Sequence, residues 1–275
     1  NIVRSIFLEC HAEYLADGPE HLRSVGEVAF IADLAEQSAN SGKTEIAGIV
    51  GNADLGLGRA VEEVLVALDQ AGRGRFRGVR YTTAADDHPP LSMYDNAPMD
   101  SSAFLDGLRT VGELGYTFDA MVYHPQLPLL AAAARACPDT PIVIDHLGGF
   151  LGTGPYKDRR DEILSFWYDA MAELAALPNT FLKTGGIGMP MMGYRWDKQA
   201  TPATSEDLAE VWAEPIQRVI ELFGPHRCMF ESNFPIDRFS LSYRTVWNAF
   251  KKLVADFSDG ERDAMLRGTA ARVYR

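Results

Sequence analysis

The stretch Pro141-Ile-Val-Ile-Asp-His146-Leu-Gly-Gly149 decides the fold. Four apolar or β-branched residues in succession read as a strand buried on both faces, the pattern of a parallel sheet covered by helices. The run breaks off at Asp145 and His146 and turns on Gly148 and Gly149. In a parallel α/β sheet, ligands and catalytic groups gather at the C-terminal strand ends. The pattern recurs in Ile6-Phe-Leu-Glu9-Cys-His11, Gly78-Val-Arg80, Ala120-Met-Val-Tyr123-His124, Phe181-Leu-Lys183 and Met229-Phe-Glu231-Ser-Asn233. Six such endings at barrel-like spacing mark an active-site rim.

Working outward, strands are expected near 5–10, 46–50, 76–81, 118–123, 141–145, 180–184 and 227–231. Helices are expected near 27–39, 57–71, 101–114, 127–136, 158–177, 205–223, 239–256 and 259–268. Ser258-Asp-Gly-Glu261 reads as a capping box, and Thr204 as an N-cap followed by an acidic first turn. Repeated βα units imply right-handed crossovers and one parallel sheet. The α/β class follows, and within it a (β/α)8 TIM barrel. Such a barrel needs eight strands, so the reading places the first one upstream and treats 1–275 as a single, N-terminally incomplete barrel domain. A doubly wound open sheet is the competitor, but no Gly-x-Gly-x-x-Gly follows a first strand.

Composition narrows the function. The 275 residues are 47% apolar and 23% charged, enough for a full core. A net charge of −12 argues against nucleic acid and anionic membrane as partners and leaves a small molecule. Cys10, Cys137 and Cys228 have no metal-type spacing and read as reduced packing thiols. No signal peptide or membrane span is legible, so a cytoplasmic enzyme is expected, with homo-oligomers left open. Two long loops follow strand ends. Thr82–Ser101 carries Asp86, Asp87, His88, Pro89, Pro90 and Tyr94; Gly185–Thr204 carries Met189, Met191, Met192, Tyr194, Arg195 and Trp196. Loops of this length are usually functional, and the second reads as an apolar lid.

Phe7-Leu-Glu-Cys-His11, Gly48-Ile-Val-Gly51 with Asp54, Phe76-Arg-Gly-Val-Arg80, Ile144-Asp-His-Leu-Gly-Gly149, Leu182-Lys-Thr-Gly185, Met229-Phe-Glu-Ser-Asn-Phe-Pro235 and Gly268-Thr-Ala-Ala-Arg-Val-Tyr274 together resemble the amidohydrolase superfamily. The likeness is to the branch of 2-pyrone-4,6-dicarboxylate lactonase and the sugar-lactone hydrolases, and it spans essentially the whole chain. It implies a barrel hydrolase in which activated water attacks a lactone or amide carbonyl of a small, carboxylated or neutral molecule. A His-x-His pair, the family's hallmark, does not occur in the chain. The family's usual Gly-Ser-Asp-Trp-Pro is replaced by Glu231-Ser-Asn233-Phe-Pro235. An amide accepts no proton at neutral pH, which turns attention to Glu231 or Asp237.

Under this resemblance His146 is the first candidate, as a metal ligand or a polariser of the carbonyl, with Asp145 orienting it; a core histidine is the alternative. Asn233 and Glu231 complete the expected catalytic set. Arg80 suits bidentate binding of a carboxylate, and Lys183 an anion, each with a structural ion pair as the alternative. Glu9, His11, Tyr123 and His124 are expected at the substrate, whereas His226 precedes its strand and belongs to the opposite, stability face. Asp54 reads as a capping residue. One weakly held divalent ion, zinc or manganese, is compatible with the resemblance, as is metal-free hydrolysis. A metal-dependent non-oxidative decarboxylase and a degenerate barrel that only binds a small molecule are the alternative functions.

Overall fold

The computed structural model of the protein describes residues 2–92 and 98–275. Seven strands, β1 (Arg4–Leu8), β2 (Glu45–Asn52), β3 (Phe76–Thr82), β4 (Thr117–Met121), β5 (Ile142–Ile144), β6 (Thr180–Lys183) and β7 (Cys228–Met229), lie in chain order in one sheet, every pair parallel. Between and after them run α1 (Val25–Ala39), α2 (Val61–Gly72), α3 (Ser102–Glu113), α4 (Leu127–Ala136), α5 (Arg160–Ala175), α6 (Ser205–Phe223), α7 (Tyr243–Leu253), α8 (Asp259–Asp263) and α9 (Thr269–Val273). No described helix is long and apolar enough to cross a membrane.

The two-residue period of a strand sorts the side chains. Ile142, Ile144, Leu182 and Cys228 face the helices in the main core, together with Trp167 of α5 and Trp212 of α6. Val50, Val143 and Met229 face the other way, into a second cluster with Ile6, Leu8 and Phe181 packed against it. Residues of β1 and β7 share that inner cluster, so the sheet curls. Ion pairs say the same: Lys183 of β6 reaches Asp119 of β4 at 2.5 Å, although in a flat sheet strands two apart lie roughly 9–10 Å apart. The architecture is that of a TIM-type α/β barrel, with the main core between sheet and helices.

At the lower end the chain departs from expectation. The helix expected over 259–268 is instead α8, a π-turn at Ala264–Gly268, and α9. The Met265 carbonyl of that turn takes the Phe230 N–H at 2.9 Å, which ends β7 at Met229 rather than at the expected residue 231. Beyond α9, Tyr274 is buried in the inner cluster, and its carbonyl accepts from Arg77 Nε at 3.0 Å. The His226 carbonyl accepts from Thr269 Oγ1 at the same lower end, the stability face. Asp54 caps its turn by accepting from Gly56 N–H. Cys137 and Cys228 are buried, but Cys10 is exposed, contrary to its expected packing role.

Candidate active site

Two residues past each apolar inner side chain, at the C-terminal strand ends, the barrel turns charged: Val143 is followed by Asp145, Phe181 by Lys183 and Met229 by Glu231. Thr117 and Gly78 stand in the same relation to Asp119 and Arg80. The result is a chain of alternating charge. The Tyr274 hydroxyl donates to Asp119 at 2.5 Å. Lys183 Nζ sits 2.5 Å from Asp119 and 2.8 Å from Asp145. Arg80 reaches Asp145 at 3.3 Å and Glu9 at 2.7 Å, and Glu9 pairs with His11 at 3.1 Å. Burial pushes the Asp145 carboxyl up, but Lys183, His146 and Arg80 outweigh it and hold Asp145 below the usual range. For Asp119 burial wins, aided by the Asp145 charge, and its pKa is raised.

Beside this chain stands the His146 centre. His146, Leu147, Gly148 and Gly149 all have φ between 51° and 65°, the left-handed region that side chains other than glycine rarely adopt. Such strain clusters at functional sites. Glu231 Oε1 lies 2.5 Å from His146 Nδ1 and also accepts the His146 backbone N–H at 3.1 Å, so one oxygen clamps both. Burial lowers the His146 pKa, but Glu231 and Asp145 reverse that, and the imidazole titrates above its ordinary value. Gly186 makes the space: a Cβ there, at φ +69°, would lie 2.5 Å from His146 Nδ1.

Exposure ranks these groups. His11, Arg80 and Glu231 side chains are 40%, 16% and 15% exposed, His146 keeps 5% beside Glu231, and Lys183 is 3% and Asp119 and Asp145 are 0%. Lys183, expected to hold an anion, is therefore an internal counter-ion for two carboxylates beneath the mouth. The cause is tertiary: a cation at an inward position of β6 meets Asp119 of β4 and Asp145 just past β5. Glu9, also expected at the substrate, is 3% exposed and committed to Arg80 and His11.

Asn233, expected to be catalytic, instead donates its amide to Asp237 Oδ1 at 2.8 Å. Asp237 also accepts from Gly188 N–H, is buried, and is pushed by that burial to about 6. Of the two acids considered as substitutes for the family's aspartate, the structure brings Glu231 to His146 and seals Asp237 beneath Asn233. His124 joins neither group. Its Nδ1 accepts from Leu151 N–H at 3.3 Å, and its ring packs edge-on against Tyr156 and Phe166. Burial lowers it to about 4 and keeps it neutral. Tyr123 lies in an apolar cluster with Ala84, Leu91, Met121 and Leu151, its buried hydroxyl without a hydrogen-bond partner among the described residues.

The first part of the first long loop is tied to its neighbours. Tyr156 donates to Asp86 at 2.6 Å, and Gln126 Nε2 to the Ala85 carbonyl. In the second loop Met189, Met192 and Trp196 are buried in the main core rather than presented as a free apolar lid. Tyr94 of the first loop lies outside the described residues.

The donor set does not suit a divalent ion at His146. Among the described residues no three His, Cys, Asp or Glu side chains converge as a metal site. Glu9, Asp119 and Asp145 are compensated by Arg80 and Lys183, which among the described residues leaves His146 Nε2 and Glu231 as the donors there, fewer than the three protein ligands a catalytic divalent ion usually takes.

Asp119, Tyr274 and Gly186 escaped the sequence reading. Asp119 had a signal, as the single acid in Thr117-Phe-Asp-Ala-Met121 at an inward position. Gly186 had only its adjacency to Gly185, and nothing local marked Tyr274.

Comparison with known proteins points to one family. A family model described as Amidohydrolase matches residues 14–275. An uncharacterized protein of Sinorhizobium fredii is 32% identical over 231 residues, covering 83% of this chain and 69% of that one. The L-fucono-1,5-lactonase of Burkholderia multivorans is 29% identical over 250 residues, 90% and 76% of the two chains. The crystal structure of an amidohydrolase from Burkholderia multivorans with bound zinc superposes with a TM-score of 0.71 at 28% identity, covering 90% of this chain and 78% of that one.

Proposed function

This chain belongs to the amidohydrolase family, and from that premise we propose that it hydrolyses the lactone ring of a small, oxygen-rich molecule. The observation that carries the reading is the clamped His146–Glu231 pair beside Arg80 at the barrel mouth. Glu231 holds Nδ1, which leaves Nε2 to act. His146 Nε2 takes the proton of a water as it adds to the carbonyl, and Glu231 stabilises the imidazolium that forms. Glu9 and Asp145 engage three of the five Arg80 N–H donors, and the remaining two face the developing oxyanion or a substrate carboxylate. The donor set supplies no metal-bound step. The relatedness to an L-fucono-1,5-lactonase supports a lactone of sugar-acid type.

Steady-state hydrolysis of a panel of γ- and δ-lactones tests the proposal. The wild type turns over at least one aliphatic lactone, and His146→Ala lowers kcat/KM by about 10²–10⁴-fold. A base must be deprotonated, so activity rises with pH through the elevated His146 pKa, and Glu231→Gln moves that limb to lower pH. A wild type inert towards the whole panel, or His146→Ala with unchanged turnover, defeats the reading.

A further inference from the structure

We infer that His11 is a second catalytic residue, the acid that protonates the leaving ring oxygen; the inference rests on the lactonase reading above. His11 follows β1, two residues past Glu9, whose Oε2 lies 3.1 Å from its Nε2. The other oxygen of the same carboxylate takes the Arg80 Nε–H at 2.7 Å. Arg80 in turn touches Asp145, the residue before His146. The two imidazoles are thus joined to one guanidinium from two sides, His11 through Glu9 and His146 through its neighbour.

The backbone is built to hold this imidazole. His11 sits at φ +61°, in the left-handed region. Glu27, fully buried on α1, pins the strained residue from both sides: its Oε1 accepts the Cys10 N–H at 3.0 Å and the Ala12 N–H at 2.8 Å. Tyr14 stacks on the ring, centroids 5.3 Å apart and planes 21° from parallel. A buried carboxylate and a strained backbone therefore orient a side chain that stays 40% exposed. Packing alone does not call for that, because a core histidine is oriented by its own burial. Among the described residues, charged groups that act on His11 include Glu9 on its own segment, Glu27 from α1 and Arg80 from β3. The Glu9 hydrogen bond raises the imidazole pKa above its ordinary value against partial burial, and the two glutamates outweigh Arg80. An oriented, partly exposed imidazole whose charged form is favoured by Glu9 is suited to donate a proton.

The step balances. Water adds to the carbonyl carbon as His146 takes one proton. The acyl carbon–ring oxygen bond then breaks, and the ring oxygen takes a proton from the His11 imidazolium. The product is a hydroxy acid whose carboxyl proton passes to solvent, and the proton on His146 returns to His11 through solvent.

Leaving-group dependence separates this role from substrate holding. δ-Valerolactone expels an alkoxide, which needs an acid; dihydrocoumarin expels a phenolate of pKa about 10, which needs one far less. His11→Gln is expected to lower kcat/KM on δ-valerolactone by about 10²-fold or more and on dihydrocoumarin by less than about fivefold, and to abolish the alkaline limb of the δ-valerolactone profile. Retained dihydrocoumarin turnover shows the variant folded. In His11→Ala, added imidazole restores δ-valerolactone turnover. Equal losses on the two substrates, or no rescue, overturn the acid role while leaving the lactonase reading intact. A wild type inactive on these two and on the rest of the lactone panel overturns both readings.

Discussion

Replacing Lys183 with methionine removes the ammonium in direct contact with both Asp119 and Asp145 while keeping most of the side-chain volume. Lys183 is buried, 2.5 Å from one carboxylate and 2.8 Å from the other. Taking away one partner of a buried ion pair costs about 3–5 kcal/mol, because the remaining charge stays in the interior uncompensated. At about 2–4 °C per kcal/mol for a protein of this size, Tm at pH 8 falls by roughly 6–20 °C. The pH dependence identifies the cause. In the wild type Asp145 is held below its ordinary 3.8, so its stabilising contribution is present above that value and is lost only as pH falls through the lower folded value. Asp119 is raised, so its cost appears as pH rises from 3.8 through its folded value. Without Lys183 both carboxyls move upward, the folded variant takes up protons at pH 5, and its deficit there shrinks to half or less of that at pH 8. Thermal unfolding followed by circular dichroism at the two pH values reads this directly. A deficit below about 1 kcal/mol, or one equal at pH 5 and pH 8, refutes the internal counter-ion. An unchanged Tm with a raised KM would return Lys183 to the anion-binding role that its strand-end position suggested.

Gly186→Ala puts a methyl group 2.5 Å from His146 Nδ1 at a backbone φ of +69°. Displacing the imidazole by about an ångström lowers kcat/KM roughly 10²-fold. The conformational penalty of about 1–2 kcal/mol takes only roughly 2–8 °C from Tm, and near-wild-type kinetics would show that His146 is not held for catalysis. Asn233→Asp is expected to lose stability rather than gain activity, because two carboxyls would face each other where an amide now donates to Asp237 at 2.8 Å. The loss is about 1–3 kcal/mol at pH 8 and recovers towards pH 5, as the pair takes up a shared proton. A Tm at pH 8 equal to or above wild type contradicts it.

The barrel was legible because its signals are short-range. A run such as Ile142-Val143-Ile144 commits to a doubly buried strand within three residues, and the capping boxes at Thr204 and Ser258 start helices within four. Strand ends likewise place Arg80, His146, Lys183 and Glu231 at one mouth, since a parallel sheet points every C-terminus the same way. Which of these groups meet is a different matter. Glu231 reaches His146 across 85 residues and Tyr274 reaches Asp119 across 155. Lys183 could serve as an anion hook or as an internal counter-ion with the same local sequence. Curvature chose, by bringing β4, β5 and β6 close enough for one ammonium to compensate two buried carboxylates. The Asn233–Asp237 contact, by contrast, spans only four residues in the segment after β7, while Glu231 turns to His146. Period and turn chemistry are local properties of the chain, so the sequence by itself determined the strands and their polar ends. Charge pairing depends on distances between segments remote along the chain, so only the tertiary structure decided which of those ends are exposed at the mouth and which are buried beneath it.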